Sequence, residues 1–215
     1  MACLERSKVV SQKLTGTQIE RAEEAANYAH AIGRDFTHQL SIHWEHADGD
    51  GRVQDRQQRF LICVRRWLER RGEELVSLWV VEPDKIGKGC HVHTLLYLPR
   101  RLVPAFVEML PVWTNTQPLD AREVRKAKTK YRLKYSKGAV AWCGYPEQME
   151  SPVCLLQRRY DGSERLVKYL LKAEAAQPRH HGKVVGKRIG YSNSIGPAQW
   201  QSARTSQLQD SVQAQ

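Results

Sequence analysis

His91 and His93 stand two residues apart in the stretch CHVHTLLYL, residues 90–98. Side chains alternate along an extended strand, so both imidazoles leave the same face with their Cα atoms roughly 6 to 7 Å apart and can converge on one ion. Glu82 ends the preceding apolar run, LVSLWVVE (75–82), and a short turn, PDKIGKG (83–89), joins the two. This predicts an antiparallel hairpin in which the carboxylate approaches both rings from across the ladder. Two nitrogens and one carboxylate oxygen leave coordination positions open, as a catalytic rather than a structural metal requires. Mixed imidazole and carboxylate ligation suits Mn²⁺, and Mg²⁺ works where substrate phosphate and water complete the octahedron. Asp84 is the fallback third ligand. An isolated His-x-His pair is an ordinary feature of a polar sheet face; Glu82 changes that balance.

Such a metal needs a nucleophile beside it. In SERLVKYLLKAEAA (163–176), Tyr169 and Lys172 stand at i and i+3 of an expected helix and share a face. Ser163 is a candidate N-cap and Pro178 lies just beyond the end. A phenol with a pKa of about 10 is a poor nucleophile until a cation or base assists it. A metal or Lys172 can do so, by stabilising phenolate or the charge developing on phosphate. Without the metal motif, Tyr169 reads as an amphipathic interface residue and Lys172 as a solvated one. Tyr160 is the next candidate nucleophile.

The remaining elements must position these groups. GTQIERAEEAANYAHAI (16–32) has helical spacing and should end at Gly33. FTHQLSIHW (36–44) alternates as a strand does, with one face buried. Between 53 and 71, Phe60, Leu61, Val64, Trp67 and Leu68 form one helical stripe. An amphipathic helix is expected over 101–113, with Pro111 ending or bending it, and GAVAWCGY (138–145) reads as a further strand. The tail beyond the Gly-rich stretch HHGKVVGKRIGYSNSIG (180–196) is dominated by Gln and Ser and reads as disordered. Strands in a meander with helices packed to one face indicate an α+β antiparallel sheet rather than a parallel one. Three segments result: a helical extension over 1–33, a core over 34–176 and a basic, partly disordered tail over 177–215.

The charge is localised. The 215 residues carry 34 Lys and Arg against 23 Asp and Glu, a net charge of +11. Residues 121–137 hold a local net of +7 and residues 157–190 a net of +6, so the rest of the chain is slightly acidic. Tyr131, Tyr135, Trp142 and Tyr160 are interleaved with this charge, as where a phosphate backbone and unstacked bases are both bound. The candidate DNA contacts are Arg122, Arg125, Lys126, Lys128, Lys130, Arg132, Lys134, Arg158, Arg159, Lys168, Lys187 and Arg188. A solvated basic face is the plainer account of the same charge. Five widely spaced cysteines with no CxxC pair argue against a disulfide framework or a cysteine zinc site and fit a reducing, cytoplasmic setting. The start, MACLERSKVV, lacks a secretory apolar stretch, and no apolar run approaches the ~20 residues of a membrane helix. A membrane partner and a small-molecule cofactor are therefore not expected.

GCHVHTLLYLP with Glu82, and VKYLLKA downstream, resemble the motifs of HUH endonucleases, the rolling-circle replication initiators (Rep proteins) of phages and plasmids and their relatives. His91, Val92 and His93 match the His-hydrophobe-His motif, and Tyr169 and Lys172 match the Tyr-x-x-Lys motif. The strand at Phe36–Ile42 is similar in position to the family's FTLT-type motif, with Gln39 and His38 departing from it. GKRIGYSNSIG (186–196) is similar to a basic stretch of some initiators. The sites one helical turn from Tyr169 are Leu166 and Ala173, which points to a single-tyrosine enzyme. The resemblance covers residues 34–176 and implies a ferredoxin-like nuclease core around the central antiparallel sheet. It implies nicking and joining of single-stranded or hairpin DNA at an origin, through a 5′-phosphotyrosine, in a bacterial host cell. Host helicase and polymerase would then be partners. A single-tyrosine transposase or relaxase would share the chemistry.

Two rivals differ in class. A histidine-triad nucleotide hydrolase would need a third histidine where Leu95 stands, and a non-catalytic nucleic-acid-binding module would retain the sheet without the chemistry. His43, His46, His180 and His181 receive no role from the sequence.

Overall fold

A computed structural model describes residues 10–11, 14–44, 52–83, 90–116, 139–143, 154–158, 167, 171 and 184–213. Thr15 opens the first helix, α1 (Gly16–Ala31), through a capping box: its hydroxyl accepts from the Gln18 N–H, and the Gln18 side chain accepts from the Thr15 N–H. Gly33, at φ +69, turns the chain out of the helix, as the sequence predicts. Between these ends Ala22, Ala25, Ala26 and Ala29 are buried, and their small side chains let the helix backbone sit close to what it covers.

The strands that follow are β2 (His38–Ile42), β3 (Ser77–Pro83), β4 (Cys90–Leu96), β5 (Ala139–Cys143), β6 (Cys154–Arg158) and β8 (Ile189–Tyr191). They form one antiparallel sheet in the order β5-β6-β2-β4-β3-β8. Two-residue strands β1 (Val10–Ser11) and β7 (Val184–Val185) pair separately. The α+β class and the β3–β4 hairpin stand as expected. β6 and β8 do not appear in the sequence reading, although β6 pairs with β2 along its whole length.

Helices α2 (Val53–Glu69) and α3 (Val103–Thr114) cover one face. Phe60, Val64, Trp67 and Leu68 of α2 are buried against Leu40, Ile42, Val81 and Val92. Burial of each large apolar side chain contributes about 1.5–3 kcal/mol. That outweighs the N-cap, since Arg52 makes no side-chain cap bond. Gln57 adds direction: its amide donates to Thr94 Oγ1 at 2.9 Å and accepts from the Trp44 indole N–H at 2.9 Å. This chain fixes α2 to the middle of β4. Pro111 does not end α3, which runs on to Thr114 and stops where Asn115 turns left-handed at φ 51.

The second face is also covered, which corrects the expectation of helices on one side only. Leu78, Val80 and Leu95 meet the alanines of α1 there, together with Phe36, Ile189 and Ile195. Val167 and Leu171, both helical, are buried in the same cluster. The expectation of a disordered tail also changes. Residues Pro197–Gln213 form a helix, α4, that contacts α1, and Arg204 pairs with Glu24 at 2.9 Å. One buried aromatic, Trp200, and this pair take the place of the apolar stripe that the composition lacks.

His38 lies on the α2 face and is buried, with Nδ1 2.9 Å from Thr37 Oγ1 and Nε2 without a hydrogen-bond partner. Burial, and then the charge of Arg158, lower its pKa from 6.5 to about 4. The unfolded chain therefore binds a proton that the folded chain refuses between these values. Stability is full above about pH 6.5 and falls, by up to about 3 kcal/mol, as pH drops towards 4. His38→Asn keeps a polar atom near Thr37 and removes the titration, so its urea midpoint should vary less between pH 7.5 and 4.5. A variant as pH-sensitive as wild type would assign the loss to other groups.

Candidate metal centre

The register places the three predicted ligands side by side. Glu82 on β3 is directly opposite His91 on β4, and His93 is flanked by Val80 of β3 and Ser41 of β2. Cross-strand partners share a face, so Glu82, His91, His93, Ser41 and Gln39 project together, on the face that α1 covers further along. Glu82 Oε2 lies 3.2 Å from His91 Nε2 and 3.5 Å from His93 Nε2. Ligand atoms of the three all fall within 4.8 Å of one another. Side-chain exposure of 17–20% leaves each within reach of solvent but not flooded by it.

The Glu82 carboxyl is held far below the usual carboxylate range. Burial alone would raise it, and the hydrogen bonds and charges of His91 and His93 overturn that. The acid is therefore ionised at any working pH. An anionic oxygen and two ring nitrogens facing one point are the donor set of a divalent transition ion or Mg²⁺, so the residues fit the metal that the sequence anticipates.

Two further residues support His93 from behind. Its Nδ1 lies 2.7 Å from Ser41 Oγ and 3.2 Å from Gln39 Nε2. With Nε2 committed to a metal, Nδ1 carries the proton and Ser41 accepts it, which fixes the tautomer and the ring plane. The Gln39 Oε1 atom is buried without a partner, and turning the amide end for end offers it to the same N–H. Ser41→Ala should therefore weaken Mn²⁺ binding about 10- to 100-fold by calorimetry while leaving the fold intact. Unchanged affinity would show that the Nδ1 contact does not tune the ligand.

His43, which the sequence leaves without a role, follows β2 and stacks on His91 with ring centroids 5.0 Å apart and planes 25° apart. Ser41, Gln39 and His43 all belong to FTHQLSIHW, and the signal that finds them is the β2–β4 register, which a single strand does not disclose. Tyr169 and Lys172 lie outside the described residues, as do Asp84, His46, His180, His181 and Tyr160. So do Arg122, Arg125, Lys126, Lys128, Lys130, Arg132, Lys134, Arg159 and Lys168 of the candidate DNA contacts. Of the other three, Arg158 and Lys187 are exposed, whereas Arg188 is buried at 1% exposure and so is not a surface contact.

Fold and site together define an α+β protein with a candidate metal centre on its central sheet. Residues 40–139 match the model of a family of replication-associated proteins, the ORF2 type. That stretch contains Glu82, His91 and His93 and stops short of Tyr169. The match supports a Rep-like replication protein and, with it, DNA as a partner. No curated protein and no solved structure matches the chain. Among the described residues no helix is long and apolar enough to cross a membrane.

Proposed function

We propose that the protein nicks and rejoins single-stranded DNA at an origin, through a 5′-phosphotyrosine on Tyr169, and so initiates rolling-circle replication of a phage or plasmid. The observation that carries this is the convergence of Glu82, His91 and His93 on one open point of the sheet. The family match over the same strands gives it a biological setting. Val167 and Leu171, two residues before and two after Tyr169, are buried on the sheet face that carries the triad. Their burial is what favours Tyr169 over Tyr160.

Glu82, His91 and His93 would hold Mn²⁺ or Mg²⁺, which when bound supplies Lewis-acid polarisation of the scissile phosphate. The Tyr169 phenolic oxygen bonds to phosphorus as the bond from phosphorus to the 3′ oxygen breaks. The phenol proton passes to solvent and the 3′ oxygen takes up another, leaving a 3′-hydroxyl that can prime synthesis. Lys172 contacts the phosphate and stabilises its developing charge. Attack by a 3′-hydroxyl on the phosphotyrosine reverses the step and rejoins strands. The basic segments 121–137 and 157–190 would grip the single strand or hairpin beside the nick.

The test is a covalent adduct. Incubated with Mn²⁺ and a diverse pool of labelled, origin-like single strands, the protein should form a protein–DNA species that survives denaturant. Absence of any adduct across the pool, with DNA still bound, would replace this function by that of a non-catalytic binding module.

A further inference from the structure

Across the sheet from the triad, α2, β3 and the segment 187–194 enclose a cavity of about 470 Å³, within the range of small-ligand sites. Ser77 and Trp79 line it from β3. They alternate with Leu78 and Val80 and so point away from the face that carries Glu82. We propose that this cavity takes one unpaired deoxynucleotide of the bound DNA strand, a second contact point remote from the nick; this rests on the DNA-nicking function above.

Three observations give the ligand its chemistry. Ser77 is completely buried, and its hydroxyl, in the cavity lining, has no hydrogen-bond partner. A buried hydroxyl without a partner is an unfavourable state that a polar ligand relieves. The acids of the lining are neutralised, Glu69 by Arg65 at 3.6 Å and Glu74 by Arg34 at 3.3 Å. Lys187 is exposed at the mouth, 5.7 Å from the centre of the Trp79 ring, and makes no ion pair among the described residues. The site therefore offers one uncompensated cation. Around it stand the exposed amides of Gln58 and Asn193. One charge for a phosphate and amides for the donor and acceptor edge of a base suit a single nucleotide better than a polyanion or an apolar group.

Trp79 owes its place to Gly190, since a Cβ there would come within 2.6 Å of the indole. The ring lies flat over the β8 backbone and forms a rigid wall. Gln58, Lys187 and Asn193 are at the surface, so replacing them does not disturb the core.

The experiment measures binding of a labelled, mixed-sequence single-stranded 12-mer to the full chain in EDTA, so that nicking plays no part. Gln58→Ala combined with Asn193→Ala should weaken binding about 5- to 20-fold and flatten its base preference. Lys187→Gln should weaken it for all sequences and lower the salt slope by about 1. If the double variant does not fold by circular dichroism, Lys187→Gln alone decides. A 4-thiothymidine-substituted strand should also crosslink to the peptide containing residues 187–194. Wild-type affinity and preference in the variants, without that crosslink, would overturn the proposal. So would competition by free deoxynucleoside monophosphates combined with no effect of the variants on the 12-mer, which would assign the cavity to a free nucleotide. A protein that forms no adduct yet shows cavity-dependent DNA binding refutes the nicking function alone. An adduct with unaltered binding in the variants refutes the cavity alone.

Discussion

Tyr169→Phe is expected to abolish the denaturant-resistant adduct while salt-sensitive binding of the same strand persists. The substitution removes one oxygen and keeps the ring, so any packing role that Tyr169 has beside Val167 and Leu171 survives and only the nucleophile is lost. Loss of a covalent nucleophile lowers rate by orders of magnitude, here about 10³-fold or more. Gel quantification of adduct after a fixed incubation with Mn²⁺ resolves that range. An adduct that forms at the wild-type rate would move the role to another residue, with Tyr160 first in line.

The second large effect belongs to the histidines. His91→Ala combined with His93→Ala should remove both cleavage and calorimetric Mn²⁺ binding while leaving DNA affinity in place, because neither basic segment includes β4. Glu82 is the complication. Its carboxylate is partly buried and both imidazoles contact it, so the double variant leaves a charge without its partners, at a cost of about 1–3 kcal/mol. Glu82→Gln is the control: it removes the charge together with the ligand, keeps the shape, and should lose metal binding without that penalty. Equal cleavage by the double variant and wild type would end the metal assignment.

The hairpin was legible because all its information is local. Period-2 alternation places His91 and His93 on one face, and the short connection to LVSLWVVE leaves Glu82 no other neighbour. The supporting pair, Ser41 and Gln39, was not legible, since it depends on which strand lies beside β4 and in what register. β6 escaped notice for a different reason. Its five residues, CLLQR, lie between Pro152 and a charged run, too short to show alternation, and pairing with β2 and β5 is what makes them a strand. β8 is shorter still and contains Gly190, a residue that disfavours strands except where a close approach demands it. The cover on the second face went unrecognised because α1 presents alanines, which count little as hydrophobes but pack closest. The nucleophile remains where sequence reasoning left it, as a proposal supported by its two buried neighbours.

The strand order has a kinetic meaning. β6 and β8 stand on opposite sides of β2, β4 and β3, four strand spacings or about 19 Å apart. The chain between them is tied down at both ends, with Val167 and Leu171 as moorings in between. A DNA end esterified to Tyr169 would therefore be leashed to the sheet, and its effective concentration at the triad would far exceed that of any free strand. Such a leash favours resealing or strand exchange over release, and makes the enzyme a custodian of the broken end rather than a simple cutter.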